Sequence, residues 1–350
     1  MRLMFVHYVL EDRGSAQDMH NYVQTARALG HEVVLYGRPK PGSAFNYSLD
    51  VRAADAAIFI FEWTTELQDG DELDLLRLVA KVPRERRVVI DCDGGYNDAI
   101  SVVGDVNHRD EDASRRWVRI CDSLSDKIYQ PTYHPLLPNV KTFFFHAYHP
   151  GWEQPLNFAG KEYGMIYVGN NWFRWRAMHS ILRALEPIRD KVGRIGLVGN
   201  GWDRPAPWAK PSNPKAAYEH DPDYLRRLGV ECEPPIRFDQ VVPWMGKGIF
   251  TPVVLRPLFD HLRLVTCRTF ETPAANVIPL FAQDAEYVRT IYGDEALELV
   301  LPNEEPHEKI LDVLSRPAHF ADIVRGIRQH LTRKYSYEAQ FRELIAIVAS

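Results

Sequence analysis

Residues 2–37, RLMFVHYVLEDRGSAQDMHNYVQTARALGHEVVLYG, have the pattern of a strand, a helix and a second strand. The apolar run RLMFVHYVL is typical of a buried strand, and so is HEVVLYG. Between them, apolar residues recur at helical spacing: Met19, Tyr22, Val23, Ala26 and Leu29. Ser15 is the predicted N-cap, and Gly30 is the predicted residue that ends the helix. A strand-helix-strand unit of this kind predicts a parallel sheet.

The same alternation continues along the chain and then starts again. DAAIFIFEW and RRVVIDCDG are predicted as strands with the helical pattern DELDLLRLVAKV between them, and SDKIYQ is predicted as a weaker strand. The order restarts with a strand at YGMIYVG, a helix at RWRAMHSILRALEPI and a strand at RIGLVG. Repeated units predict doubly wound sheets, which bind ligands at the carboxyl ends of their strands. We therefore expect an α/β chain with two Rossmann-like parallel-sheet domains that face a cleft.

Length and a proline-rich segment indicate where the two domains meet. A chain of 350 residues is longer than one core usually supports, so two domains of about 150 residues each are expected. The segment QPTYHPLLPNVKTFFFHAYHPGWEQP, residues 130–155, is predicted as an ordered connector because its prolines limit helix formation. The boundary is predicted near residue 155.

Composition excludes several classes of protein. With 45% hydrophobic and 25% charged residues the sequence is that of a soluble globular protein, and we expect it in the cytoplasm. No apolar run approaches the roughly 20 residues that cross a bilayer. A net charge of −5 argues against a general affinity for nucleic acid but leaves a local basic patch open. The four cysteines are far apart, which predicts free thiols and no zinc site.

The stretch VTCRTFETPAANVIPLF, residues 265–281, carries a charged pair between two apolar runs. Glu271 has a carboxylate that accepts two hydroxyl hydrogen bonds, as an acid that holds a ribose should. Arg268 has the guanidinium geometry for bidentate binding of phosphate. The alternative is structural: Glu271 caps a helix that begins near Pro273, with Arg268 as its ion-pair partner.

Further candidates follow predicted strands. Gly169 ends a strand, and the next polar residues are suited to an anion site or to an ordinary turn: Asn170, Asn171 and Arg174. Lys247, between two glycines, either approaches a diphosphate or is an exposed loop lysine.

The first half supplies candidates for the other side of the cleft. Gly14 and Ser15, in the first strand-to-helix turn, would point backbone N–H groups into the cleft. Asp93, beside a Gly-Gly turn, is the predicted general base or acceptor contact, unless it supports its own loop as an Asx-turn acid. His7 and His20 are predicted to be structural.

These segments carry a family resemblance over nearly the whole chain. GSAQDMHNYVQTARALGHEVVLYG resembles the first loop, helix and second strand of GT-B glycosyltransferases. IYVGNNWFRW, IGLVGNGWD and CRTFETPAANVIPLF, in this order, are similar to CgeB-like glycosyltransferases, which have R-x-F-E followed by small residues.

The resemblance implies roles for several residues. It implies that Glu271 holds the nucleotide ribose and that the backbone from Thr269 to Thr272 lies near the phosphates. It also implies that the turn at Gly199 faces the donor and that the loop around Trp244 reads the base. The Glu-seven residues-Glu pattern of retaining enzymes is absent, because Arg263 stands eight positions before Glu271.

The expected domains follow from the same resemblance: an acceptor-side domain at 1–155, a nucleotide-sugar-binding domain at 156–335, and a last helix at 336–350 that crosses back. The expected function is metal-independent transfer of a sugar from a UDP- or GDP-linked donor to a hydroxyl, without a cofactor. Three alternatives remain open: a DNA-base glucosyltransferase, a sugar-nucleotide epimerase, and a non-catalytic nucleotide-sugar-binding protein.

Overall fold

The computed structural model describes residues 1–7, 14–38, 41–62, 72–102, 105–106, 111–211 and 213–350. Most of the described strands belong to two parallel sheets with helices around them, as predicted. None of the helices in these ranges is long and apolar enough to cross a membrane.

The first half contains nine described strands and three helices. The strands are Arg2–His7 (β1), Glu32–Tyr36 (β2), Tyr47–Ser48 (β3), Ala56–Phe61 (β4), Arg87–Asp91 (β5), Ser101–Val102 (β6), Asp105–Val106 (β7), Ile128–Gln130 (β8) and Val140–Thr142 (β9). The helices are Gly14–Ala28 (α1), Glu72–Val79 (α2) and Glu111–Leu124 (α3). Seven strands form one sheet in the order β3-β2-β1-β4-β5-β8-β9, and β6 pairs only with β7.

The second half contains five described strands and ten helices. The strands are Tyr163–Val168 (β10), Ile195–Val198 (β11), Val230–Glu233 (β12), Gly248–Val253 (β13) and Ile278–Phe281 (β14). The helices are Trp175–Leu185 (α4), Arg189–Val192 (α5), Pro222–Leu228 (α6), Val241–Met245 (α7), Pro257–His261 (α8), Cys267–Ala274 (α9), Ala285–Tyr292 (α10), Pro306–Ser315 (α11), Pro317–Tyr335 (α12) and Tyr337–Ala349 (α13). The sheet order is β12-β11-β10-β13-β14.

Both sheets are wound in the same way. The first strand of each half is central: the chain adds strands on one side and then returns to the other, so β1 lies between β2 and β4, and β10 between β11 and β13. Connections therefore leave the carboxyl ends in opposite directions at these central strands, which opens a crevice there.

The elements that were predicted from periodicity are present. The predicted helix is α1, but it begins at Gly14, so Ser15 lies inside the helix and the prediction of Ser15 as its N-cap is wrong. Gly30 takes φ +75°, the left-handed conformation that ends a helix. Strand β4 is buried along its whole length, so it reads as a continuous apolar run. All four cysteines are free thiols, as predicted.

Two strands lie in segments where the sequence favours loops. β9 lies inside the proline-rich connector at 130–155 and pairs with β8. β13 lies in the segment that includes Lys247, although it contains Pro252. Pro252 is in register with Leu280 of β14.

The last helix packs on the first sheet. Apolar side chains of α13 lie in the same core as residues of β1 and α1: Tyr337, Phe341, Leu344, Ile347 and Val348. The Lys127 ammonium group donates to the carbonyl of Ile347 at 2.9 Å. The chain thus crosses between the two sheets twice, after β9 and again between α12 and α13.

Candidate functional site

The motif RTFETPA lies inside helix α9, and not ahead of a helix. Thr266 is the N-cap residue, and its backbone N–H donates to the Thr269 hydroxyl at 3.1 Å in a capping box. This cap starts the helix at Cys267, before the proline is reached. The predicted helix start near Pro273 is therefore wrong, and Glu271 lies more than one turn inside the helix.

The two threonines of the motif stabilise α9. Pro273 has no N–H, so the carbonyl of Thr269 four residues earlier lacks its helical donor. The Tyr292 hydroxyl donates to this carbonyl instead, at 3.1 Å. The Thr272 hydroxyl donates to the carbonyl of Arg268 at 2.9 Å. Both threonine side chains are buried, so a contact of this segment with a donor would come from its backbone, which remains a prediction.

Glu271 is a buried acid at the edge of a pocket. Its residue is only 4% exposed, and its Oε2 has no hydrogen-bond partner in the described part of the chain. Burial raises the pKa of the Glu271 carboxyl, and the charge of Arg268 opposes that rise. An acceptor held in this state is suited to a ligand that brings hydroxyl donors, because an unmet buried acceptor costs about 1–3 kcal/mol.

The pocket joins the two halves of the chain. It is lined by residues of α1, of the crossover after β9 and of α9: Gln17, Asp18, Ala147, Trp152, Cys267 and Glu271. Helix α1 follows the carboxyl end of β1, and α9 follows the carboxyl end of β13 through α8. The pocket therefore lies where the crevice of a doubly wound sheet is expected.

Arg268 pairs with Glu271 and remains partly open to solvent. Its Nη1 lies 3.4 Å from Glu271 Oε2, with 20% of the arginine side chain exposed. The same nitrogen lies 3.3 Å from Met245 Sδ. Burial is the largest single effect and lowers the pKa of the Arg268 guanidinium, but Glu271, Tyr167 and Cys267 together raise that pKa by more, so the guanidinium stays charged. The ion-pair interpretation and a phosphate contact are compatible in this geometry.

The turns after β10 and β11 are bound to each other. Asn170 Oδ1 accepts from the backbone N–H of Asn200 at 2.8 Å, and Trp202 Nε1 donates to the carbonyl of Gly169 at 2.9 Å. Gly199 has φ +141°, and a Cβ there would lie 2.4 Å from the carbonyl oxygen of Gly169. Gly169 and Gly199 thus form one surface at the carboxyl edge of the second sheet.

The side chains of Asn171 and Arg174 lie beneath this surface and donate hydrogen bonds to backbone carbonyls of the turns. Asn171 is buried, and its Nδ2 donates to the carbonyls of Gly201 and Glu219 at 2.7 and 2.8 Å. Arg174 Nη1 donates to the carbonyls of Asn170 and Trp172 at 3.2 and 3.3 Å. Both residues were predicted to meet an anion, yet these contacts tie their side chains to the turns.

Lys247 and Trp244 precede β13 and lie at the edge of the second sheet that holds the amino ends of its strands, opposite the turns after β10 and β11. The carbonyl of Lys247 accepts from the N–H of Tyr163, the first residue of β10. The Lys247 ammonium lies 3.4 Å from Glu162 and 4.1 Å from the Trp244 ring centroid. From Tyr163 to Gly169 the strand rises about 20 Å. This position does not favour the predicted pyrophosphate contact of Lys247, which stays a prediction, and the Lys247 ammonium covers the ring of Trp244.

Two aspartates at the carboxyl end of β5 have different roles: Asp91 is its last residue, and Asp93 follows it. Asp91 is buried and accepts from the N–H groups of Gly95 and Tyr96 at 2.9 and 2.7 Å, which makes it the acid that supports the loop. Asp93 is partly buried, two residues beyond the strand. Its charge acts on buried His7, so Asp93 lies at the carboxyl edge of the first sheet. Its predicted role as a base stays a prediction.

The other residues predicted in the first half are near this edge. Gly14 and Ser15 are the first residues of α1. His7 ends β1 and is buried, and burial lowers its pKa to about 4, so the ring is neutral at pH 7. His20 packs against Phe45 with a ring-centroid distance of 4.4 Å. Both contacts agree with structural histidines.

The structure adds a buried trio that the sequence analysis missed. Asp18 lines the pocket, His146 Nδ1 lies 3.0 Å from its Oδ2, and the Tyr337 hydroxyl donates to its Oδ1 at 2.5 Å. One feature of the sequence indicates it: Asp18 stands four and eight positions before Tyr22 and Ala26, so a charge lies on the buried face of α1.

Within the described ranges, no group of three or more His, Cys, Asp and Glu side chains is placed to hold a metal ion. Metal independence stays a prediction.

Comparisons with known proteins give matches in structure and none in sequence. No family of known proteins matches the chain, and no curated protein matches its sequence. Two solved structures illustrate the structural similarity. T4 phage BGT in complex with UDP-glucose is 14% identical, with a TM-score of 0.60 over 99% of both chains. An alpha-glucosyltransferase in complex with UDP and a 13-mer DNA is 12% identical, with a TM-score of 0.63 over 100% of this chain and 99% of the other. The chain therefore has the fold of these glucosyltransferases, the two-sheet arrangement called GT-B.

Proposed function

We propose that the protein is a glycosyltransferase that moves a sugar from a nucleoside diphosphate donor, UDP- or GDP-linked, to a hydroxyl group. The observation that carries the proposal is the Glu271 carboxylate: it is buried, lies on the pocket between the halves, and has an oxygen, Oε2, that makes no hydrogen bond among the described residues beyond its 3.4 Å ion pair with Arg268. Because the two hydroxyls of a ribose are donors, they would satisfy it. The glucosyltransferase fold and the R-x-F-E motif of CgeB-like enzymes support this choice.

The donor would lie between α9 and the turns of the second sheet. Glu271 would hold the ribose, and Arg268 would offset the charge of the pyrophosphate from the same helix. The joined surface of Gly169 and Gly199 offers a close approach to backbone, because neither residue has a side chain. Arg174 would add its charge from behind this surface. Lys247 is left out of the proposed donor site, because it lies at the opposite edge of the sheet from these turns.

The transfer itself needs one base and one leaving group. Asp93 at the first sheet would take the proton of the acceptor hydroxyl, and the freed oxygen would bond to the anomeric carbon. The bond from that carbon to the phosphate oxygen would break, and the nucleoside diphosphate would leave with the electron pair. Cationic Arg268 would stabilise the charge that develops on it.

Thermal shift with UDP, GDP and ADP tests the donor site. A ligand at 100 times its Kd adds about 2.7 kcal/mol of stability, so one of the uridine or guanosine nucleotides should raise the Tm of the parent. In E271A the affinity should fall at least about tenfold, since hydrogen bonds to a charged group contribute about 1.5–3 kcal/mol. E162A is the matched control: Glu162 is an exposed acid beside Lys247. An unchanged shift in E271A would overturn the assignment.

Turnover of labelled donor then tests the enzyme activity. We expect nucleoside diphosphate release from UDP- or GDP-sugar, with the same rate in EDTA and in Mn²⁺. The assay includes Mn²⁺ because one structural neighbour is T4 phage BGT in complex with UDP and Mn²⁺. Binding without release from any donor would favour a non-catalytic nucleotide-sugar-binding protein.

A DNA base is a second candidate acceptor, because structural neighbours include an alpha-glucosyltransferase bound to UDP and DNA that contains an HMU base. The charge of this chain gives no added support, since its formal net charge is −5. Transfer to duplex DNA with an HMU base, with binding that weakens steeply as salt rises, would establish this acceptor.

A further inference from the structure

Asp18 is a buried carboxylate that accepts a hydrogen bond on each of its oxygens. This carboxylate is 3% exposed and lines the pocket opposite Glu271. One oxygen meets His146 at 3.0 Å and the other meets the Tyr337 hydroxyl at 2.5 Å. A carboxylate has about four lone-pair sites, and the side chains of the described residues occupy one on each oxygen, so a ligand in the pocket would use another.

The two partners come from the two crossovers of the chain. His146 lies in the segment between β9 and β10, and Tyr337 is the first residue of α13. These segments also contact each other: the N–H of Tyr148 donates to the carbonyl of Tyr335 at 2.8 Å. Trp152, which lines the pocket, packs edge-on against Tyr337 with centroids 6.1 Å apart. The orientation of Asp18 is therefore set by the segments that connect the two sheets.

We propose that His146 and Tyr337 are positioning residues, which hold the Asp18 carboxylate in a fixed orientation for hydroxyl groups of the substrate bound in the pocket. The role rests on the proposed function, since Asp18 would act on the bound sugar or acceptor. His146 places a positive charge 3.0 Å from the buried Asp18 carboxylate. Tyr337 fixes the second oxygen and thereby the plane of the carboxylate.

The charge on His146 agrees with this arrangement. Burial alone would lower the pKa of the imidazole, but the charge and hydrogen bond of Asp18 raise it to about 9. The charges of Glu62 and Glu271 act in the same direction, and His7, which is neutral at pH 7, interacts electrostatically with His146. The proton on His146 is thus present at neutral pH and is lost in the alkaline range.

Two substitutions test the contributions of His146 and Tyr337 separately. H146N keeps an N–H donor near Asp18 but removes the charge, and Y337F removes one hydroxyl while the ring keeps its packing. H20N is the control, a histidine on the same helix as Asp18 whose ring packs on Phe45. We expect kcat for donor turnover to fall about tenfold in H146N and in Y337F, the equivalent of one hydrogen bond. H20N should match the parent.

The pH profile gives a readout that a purely structural role would not move. Parent kcat should fall above about pH 9 as His146 loses its proton, and this alkaline fall should be absent from H146N. Y337F should be slower at every pH but keep the fall. Parent-like rates in both variants, or an alkaline fall that persists in H146N, would overturn the proposal.

A titration of ¹⁵N-labelled histidine rings tests the pair without any turnover. The pH midpoint of His146 should fall by about one unit or more in D18N, while that of the control ring His20 stays. An unchanged His146 midpoint in D18N would overturn the pairing. A parent without turnover, together with a shifted midpoint, would contradict the proposed function but support the trio.

Discussion

At the scale of single residues, the proposed donor surface depends on a position where only glycine fits. Gly199 combines φ +141° with a Cβ position 2.4 Å from a backbone oxygen of the neighbouring turn. That oxygen belongs to Gly169, whose carbonyl also accepts from Trp202. Neither turn is free to move aside, because each is bound to the other.

We predict that G199A lowers the free energy of unfolding by about 2–4 kcal/mol, from backbone strain and steric overlap together. G30A is the matched control, since Gly30 has φ +75° and no atom within 4 Å of the added methyl. It should lose about 1 kcal/mol from the left-handed backbone alone. Urea denaturation measures both, and equal losses would show that contact between the turns adds nothing.

The chemistry of single residues predicted the charged pair correctly, but it did not predict where every candidate residue lies in the fold. Glu271 and Arg268 do lie together, because residues three apart on a helix share a face. Lys247 shows the limit of such reasoning. A lysine between two glycines is suited to a phosphate-binding loop. Which edge of the sheet it lies on, however, depends on the direction of β13, and the residues next to Lys247 do not determine that direction.

At the scale of elements, α9 contains a proline whose effect is offset from outside the helix. Pro273 deprives the Thr269 carbonyl of a donor, and the Tyr292 hydroxyl of α10 supplies one at 3.1 Å. Both Thr269 and Tyr292 are buried, so water does not replace the donor easily.

We predict that Y292F costs about 1–3 kcal/mol, because it leaves a buried carbonyl unpaired. In P273A, residue 273 regains an N–H that can donate to the same carbonyl, so Y292F on this background should cost less. Denaturation of the two single variants and the double variant measures this difference. Additive losses would contradict the shared carbonyl.

Elements with clear periodicity could be predicted from the sequence, and others could not. Helix α1 shows its apolar face at every turn, and Gly30 ends it. Strand β13 contains Pro252, and proline in a strand favours a loop or an edge. It is nevertheless a central strand, between β10 and β14. The proline is tolerated because β10 pairs with only the first half of β13, so no N–H is needed at Pro252 on that side. That exception depends on tertiary pairing.

At the scale of the whole molecule, the two halves repeat one winding order, and this could be predicted from the restart of the pattern near residue 160. For the first half's side of the cleft the sequence predicted Gly14, Ser15 and Asp93, but it did not indicate the trio at the pocket. Asp18, His146 and Tyr337 are far apart in sequence, and only the two crossovers bring them together. Pairings over such separations leave no periodic pattern in a single sequence.

The buried histidines make the stability of the whole molecule depend on pH in two separate ranges. His7 has its pKa lowered by burial from 6.5 to about 4. As pH falls below 6.5 the unfolded chain therefore takes up a proton that the folded chain refuses, and stability is lost down to about pH 4. For His146, burial opposes but Asp18 raises the pKa from 6.5 to about 9. Its contribution is full below pH 6.5 and is lost as pH rises through about 9.

We predict that these two contributions together are greatest near pH 6.5, and that each limb amounts to about 3 kcal/mol. Urea midpoints measured from pH 4 to pH 9 should show H7N with a flatter acid limb and H146N with a flatter alkaline limb, while H20N keeps both. An alkaline limb that is as steep in H146N as in the parent would mean that Asp18 does not hold a proton on His146, and the ion pair at the pocket would then have to be abandoned.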